Sequence, residues 1–483
     1  MSEPWVNSAR RTGSDLHLEL PAAGSRRAAV IRALRDAVRD GRLAPGVRLP
    51  PYRSLAADLG LARNTVADAY AELVAEGWLT ARQGSGTRVA ARPAPLTATP
   101  GGPPPAGASE PLAHDLRPGR PDAASFPRGA WLASARRALT DAPHDAFGAG
   151  DPRGRPELRR ALADYLARAR GVRTDPDRIV VCSGFGHALR LLFGAGVLRG
   201  PLAVEAYGLS FHRSLLAAAA VRTVPLPLDE HGADVDGLAS APGGGGVRAV
   251  LLTPTHQFPT GGPLSPARRA AVVAWAGARG TVVLEDDYDG EFRYDRDPVG
   301  ALQGLDPERV LHFGSVSKSL SPALRLGWMV LPGRLVGPVT AAKGEWEAWT
   351  SVPDQLTFAD LVSSGRYDRH VRRMRQRYRR RRDRLVAALA EHAPHVTVSG
   401  IAAGLHAVLR LPPGTEQTAL AEAARTGLGV CGLGSFRHPE STMPTQDGLV
   451  VGYATPPEHA YGSALSALCR VLPPAPVPIP VPH

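Results

Sequence analysis

The stretch PAPLTATPGGPPPAGASEPL, residues 93–112, constrains this chain more than any other feature. It has no apolar period that a helix or strand could bury, and its prolines remove backbone donors. It reads as a linker, stiff where proline dominates. The 483 residues therefore divide into residues 1–92, the linker at 93–112, a large unit at 113–472 and a proline-rich tail at 473–483. The large unit is long enough for a sizeable core of its own.

The first unit shows three helical patterns and then a ribbon. Ile31, Leu34 and Val38 share one helical face. SLAADLG is a short second helix with Leu55 and Leu59 inward. The third starts near Arg63, with Val66, Tyr70, Leu73 and Val74 at helical spacing. LTARQGSGTRVA then alternates around a Gly-Ser-Gly turn, as a two-stranded wing does. Residues 1–92 hold 14 arginines against 9 acidic residues, which favours an anionic partner. This order is that of a winged helix-turn-helix. The text from Gly41 to Val89 resembles the DNA-binding domain of GntR-type bacterial regulators over its whole length. The resemblance implies DNA contacts from Arg53 and Arg63, with Asn64 and Thr65 opening the recognition helix, and from Arg82, Gly84 and Thr87 in the wing. The bland alternatives are a helix cap for Thr65 and a solvated charge for Arg82. The family often has a hydroxyl before its recognition-helix arginine; here Ala62 stands there.

The large unit alternates short apolar runs (DRIVVCSG, VRAVLLTPT, GTVVLEDDY, RVLHFGSVS) with helical stretches (RPELRRALADYLARAR, SPARRAAVVAWAGARG). That alternation predicts an α/β fold with a mainly parallel sheet covered on both faces. Of 57 lysines and arginines, only Lys318 and Lys343 are lysine. The two residue types differ where an amine must lose its proton and act as a nucleophile. Lys318 follows a strand-like run, close to Ser315 and Ser317 and seven residues before Arg325. Asp286 and Tyr288 end another run, two residues apart, and so face one way along a strand. Ligand sites of open α/β sheets gather at such carboxyl ends. A lysine, a carboxylate, a phenol, hydroxyls and an arginine together suit pyridoxal 5′-phosphate (PLP). In that reading Lys318 is the Schiff-base residue, Asp286 holds the pyridine nitrogen, Tyr288 the ring oxygen, and Ser315 and Arg325 the phosphate. Asp287 and Asp289 are weaker choices for the acid.

These motifs, with LRPGRPDAASFPRGAW, GDPRGRPELRRALADYL, TPTHQFPTGG and AAGLH, resemble the fold-type I aminotransferase domain of MocR-type regulators from about Asp115 to Leu472. The resemblance implies a regulator with a PLP-holding sensor, and it adds Ser183, Gly184 and Ser317 to the cofactor residues. It implies a homodimer, operator DNA as partner, and PLP or an amino acid or amine as effector. The rival is a working aminotransferase with an appended DNA-binding domain. Against that rival, Leu209 stands where the family has a tyrosine near the cofactor, and no arginine precedes LVVGYA to grip a substrate carboxylate. Arg437 is the nearest effector-binding candidate, and His187 has no assigned role. The arginine-rich run at 369–384 reads as a solvated helix joining subdomains, with a second DNA surface as the alternative.

No apolar run approaches the roughly 18 residues of a membrane span. Residues 1–20 lack the apolar stretch of an export signal, and Cys182, Cys431 and Cys469 form no metal-type spacing. The expectation is a cytoplasmic protein without a metal site or membrane partner.

Overall fold

The computed structural model describes residues 18, 20–21, 24–83, 85–91, 112–148, 150–239, 246–294, 299–344 and 350–475. The chain forms two compact units, Met1–Ala108 and Ser109–His483. The expected linker and Gly84 fall almost wholly outside the described residues.

In the first unit, helices Arg26–Arg39, Tyr52–Asp58 and Arg63–Ala75 precede a hairpin of Leu79–Arg82 with Gly86–Val89. Ile31, Leu34, Leu55, Val66, Tyr70 and Leu73 are buried in one core with Leu79 and Val89 of the hairpin. The expected helical faces are therefore the buried faces, although Val38, Leu59 and Val74 are only partly covered. Tyr70 keeps its hydroxyl satisfied inside this core by donating to Pro50 O at 3.0 Å.

The second unit is built on a seven-stranded sheet. Its spatial order is Ile179–Cys182, Gly327–Val330, Val310–Ser315, Val282–Asp286, Ala249–Leu252, Leu202–Glu205, Thr223–Leu226. Gly327–Val330 runs antiparallel to both its neighbours. The other pairs are parallel. Central strands buried on both faces read as unbroken apolar runs, as IVVC and VVLED do. Helices Pro156–Arg170 and Pro266–Arg279 stand where their patterns put them, and both end at a left-handed glycine. A four-stranded antiparallel sheet around His406–Arg410 and Gly448–Gly452 completes the unit. The 27-residue helix Arg366–His392 packs Tyr367, Met374, Tyr378 and Leu385 into the main core. Among the described residues no helix is long and apolar enough to cross a membrane.

Parallel strands end on the same edge, and three of the loops that leave this edge carry the polar residues singled out above. Gly314 and Gly327 let this edge close up. A Cβ on Gly314 would lie 2.6 Å from the Trp328 ring, and one on Gly327 would lie 2.9 Å from Gly184 Cα. The Ser183–Gly184 turn is thereby pressed against the strand beside the lysine loop.

Candidate functional site

The strand ends enclose a cavity of about 1300 Å³. Ser183, Gly184, Asp286, Tyr288, Ser315, Ser317, Lys318 and Arg325 all line it. The strand Val282–Asp286 explains which acid does so. Asp286 and Tyr288 face the cavity, whereas the intervening Asp287 points the other way. There Asp287 accepts from Arg170 Nε at 2.7 Å and lies 3.2 Å from His312 Nε2. Burial raises the Asp287 carboxyl, but the Arg170 charge and the hydrogen bonds from His312 and Arg170 outweigh it and hold the group far below its ordinary range. Asp289 is buried against His256, whose Nδ1 lies 2.8 Å from Asp289 Oδ2. Asp286 has neither kind of partner. Among the described residues no group donates a hydrogen bond to its side chain, and burial pushes its carboxyl up to about 8 against the pull of Lys318.

Lys318 Nζ donates to Gly119 O at 2.5 Å. Burial lowers its pKa, and the Asp286 charge opposes that fall. Arg325 sits in the left-handed region at φ 49° and makes no ion pair among the described residues. Gly184, at φ 111°, caps the turn Phe185–Leu189, so the first amides of that turn face the same end of the cavity as Arg325. His187 Nδ1 accepts from the Ser183 amide at 3.1 Å, which gives this loop histidine a place in the cavity wall.

Sequence reasoning missed several residues here. The Tyr288 hydroxyl lies 3.0 Å from His256 Nδ1, the same nitrogen that faces Asp289. His256, Asp289 and His406 form a buried cluster with ligand-type atoms within 4.8 Å of one another. These groups are engaged within the protein, His256 by Asp289 and Tyr288, and His406 by Pro259 O at 3.2 Å. Glu205 also lines the cavity; it accepts from Thr253 Oγ1 at 2.6 Å, and burial pushes it up to about 7. His212 packs its ring edgewise on Phe185 and is pushed down to about 4 by burial, which keeps it neutral. Only the THQFPT motif could have signalled His256; the other contacts join segments far apart in sequence.

Two departures have structural outcomes. Leu209 is 38% exposed at the cavity mouth. Tyr207 is 1% exposed and packs with Phe258 and Phe436. Arg437, read as the effector-binding candidate, is not among the residues lining the cavity. Its guanidinium donates to Ser441 O at 2.6 Å and Met443 O at 2.7 Å. Backbone carbonyls left over by the 438–443 turn have captured it. Arg117, Arg120, Arg190 and Arg213 line the cavity instead.

In the first unit, Arg53, Arg63 and Asn64 are exposed, and Thr65 is half-buried. The N-cap of the recognition helix is Ala62, without a side-chain hydrogen bond, so Thr65 does not cap it. Arg82 is exposed and Thr87 half-buried in the hairpin. Arg53, Arg63 and Arg82 make no ion pair among the described residues, while Arg27 and Arg35 are paired with Glu72 and Glu76. The helix starts and the wing thus each present an exposed arginine that no acid of the described residues neutralises.

Residues 26–89 match the family described as bacterial regulatory proteins, gntR family, and residues 123–436 match aminotransferase class I and II. A probable rhizopine catabolism regulatory protein MocR from Rhizobium meliloti is 32% identical, across 87% of this chain and 88% of its own. The chain belongs to the MocR-type regulators. A second relative of this MocR-type chain is the pyridoxine biosynthesis transcriptional regulator PdxR of Corynebacterium glutamicum, 31% identical over 87% of this chain and 90% of its own. An archaeal alanine:glyoxylate aminotransferase shares the fold of the large unit, with a TM-score of 0.68, 23% identity, and coverage of 75% of this chain and 90% of its own. The MocR-type chain is thus a winged helix-turn-helix regulator joined to an aminotransferase-like domain of a PLP-dependent fold family.

Proposed function

We propose that this regulator holds PLP on Lys318 and that its operator affinity answers to PLP or to an amino compound entering the same cavity. The observation that carries the reading is the donor set. A lysine amine shares one cavity with an acid without hydrogen-bond donors among the described residues, Asp286, and an arginine without an acid, Arg325. These residues fit the cofactor. Asp286 suits a protonated ring nitrogen, Tyr288 a ring oxygen, and Arg325 with Ser183, Gly184, Ser315 and Ser317 a phosphate. When bound, PLP supplies an electrophilic carbon that amines attack. The protein's own part is to lower the Lys318 amine's pKa by burial and to orient the ring from both ends. The enzyme alternative would need a cation for the substrate carboxylate. Arg437 is spent on carbonyls, Arg213 donates to Gly208 O at 2.8 Å and Phe436 O at 3.2 Å, and Arg117 and Arg120 face Asp115, so Arg190 is the lining arginine that this alternative would have to use.

A ligand moves DNA binding only if it binds the two conformations unequally. Such couplings amount to about 1–3 kcal/mol, roughly 5- to 150-fold in affinity. Operator titrations on cofactor-free, PLP-loaded and amine-treated protein are expected to differ by a factor in that range, and Lys318→Ala should blunt the response. A variant that answers PLP and amines as the wild type does would reduce the cofactor to a structural element.

The molecule acts as a homodimer on a two-part operator, which multiplies the affinity of each recognition helix. Arg63→Ala is expected to weaken operator binding by about 1–3 kcal/mol and to relax preference at one base, as removal of a forked guanine contact does. Anisotropy titrations against variant operators check this. A uniform loss across all bases would place Arg63 on phosphate instead.

A further inference from the structure

The effector unit has a second concavity, of about 1060 Å³, whose lining shares no residue with the cofactor cavity. One wall is the helix Arg366–His392; the other runs from Ala124 to Ala130, where the helix Arg128–Asp141 begins without a side-chain cap. Arg366, Arg369, Arg373, Arg377 and Arg380 line it from the long helix. Spacings of three and four place them in one stripe, and at 1.5 Å per residue the stripe is about 21 Å long.

The stripe does more than solvate a helix. Arg377 is tied to Asp122 at 2.7 Å and Arg366 lies 3.8 Å from Asp360. Arg369, Arg373 and Arg380 are exposed and make no ion pair among the described residues, and Arg128 on the opposite wall is in the same position. Glu458, the one carboxylate among the described lining residues, is already shared by Arg377, Arg381 and Arg384. Like charges one turn apart repel by a few tenths of a kcal/mol per pair, so converging arginines are stabilised by a multivalent anion. A stripe of about 21 Å is too long for a small anion. It matches about six base-pair steps of duplex at 3.4 Å each.

We propose that this groove takes the phosphate backbone of duplex DNA flanking the segment read by the N-terminal unit. Guanidinium forks suit phosphate oxygens and carry no base preference. The two units share one chain, so a duplex held by the first is at high local concentration for the second. The inference rests on DNA binding by the first unit, and the test separates the two.

The experiment uses the full chain, a minimal operator duplex and the same operator with natural flanks. Wild type is expected to bind the flanked duplex about 10-fold tighter or more. The R369Q/R373Q/R380Q variant should lose most of that gain. Its log–log salt slope on flanked DNA should be shallower by about 0.9 for each phosphate that the variant no longer neutralises. Its minimal-operator affinity, melting temperature and cofactor absorbance should be unchanged. R369K/R373K/R380K should recover most of the gain, since charge is retained. Wild-type length dependence and salt slope in the glutamine variant would overturn the proposal. Thermal stabilisation by inorganic pyrophosphate that the glutamine variant loses, with no effect on flank dependence, would also overturn it and make the groove a small-anion site. Arg63→Ala reports separately: if it leaves minimal-operator binding intact, the reading of the first unit has failed.

Discussion

Lys318→Ala is expected to leave the protein without the visible absorption band of bound PLP and without any cofactor fixed by borohydride. In the wild type, reduction should attach the cofactor to the tryptic peptide containing Lys318. Acidity alone would not single out this lysine. Burial pushes Lys343 down to about 8 and lowers Lys318 as well, so the direction of the shift is the same for both amines. Access decides between them. Lys343 is 2% exposed and its ammonium is spent on Pro152 O at 2.5 Å and Val181 O at 2.7 Å. Lys318 opens on a cavity large enough for the cofactor, with a counter-charge for each end of it. Peptide mapping that finds the adduct on Lys343 would refute this assignment.

Asp286→Asn should weaken PLP binding and stabilise the cofactor-free protein. Loss of a charge-assisted hydrogen bond to the ring nitrogen costs about 1.5–3 kcal/mol, roughly 10- to 150-fold in affinity. The stability effect has the opposite sign because burial pushes the Asp286 carboxyl up to about 8. An unfolded aspartate releases its proton near pH 3.9. Between these values the folded state binds more protons than the unfolded one, so stability falls as pH rises. The full penalty is present above about pH 8 and absent below about pH 4. Asparagine carries no charge and escapes it. Melting curves of the cofactor-free proteins should separate by about 2–4 °C at pH 8, with the variant higher, and should converge toward pH 5. A gap that does not change with pH would mean that the Asp286 charge is not what strains the empty cavity.

Much of the site was legible because it follows from strand parity and loop position. TVVLED had to alternate, and its last acid had to emerge at a sheet edge. RVLHFG had to deliver Ser315, Ser317 and Lys318 to that same edge. Residues that act across long separations were not legible. Arg170 reaches Asp287 over 117 positions, and this contact takes Asp287 out of contention. Gly119 O meets Lys318 across 199 positions. The strand Gly327–Val330 follows Arg325 directly and carries no mark of its antiparallel direction. Arg437 was chosen for its nearness in sequence to an apolar strand, and a local turn had already claimed its hydrogen bonds. The long arginine-rich run was legible as a helix. The grouping of its unpaired charges across from Ala124–Ala130 was not, because the facing wall lies some 240 positions upstream.

Lys343 is buried and Lys318 opens into the cavity, which leaves the exposed exterior of the described residues with arginine alone for side-chain cations that do not titrate near neutrality. Acetyl donors and other acylating agents that erase lysine charge elsewhere would find no exterior lysine on this molecule. Its attraction to polyanions is therefore beyond the reach of that chemistry. A small acylating reagent, by contrast, can enter the cavity at Lys318 when the cofactor is out and is blocked when it is in, while Lys343 stays sealed against two carbonyls. Acylation of the peptide that contains Lys318 after brief labelling would thus count loaded and empty molecules directly, without spectroscopy.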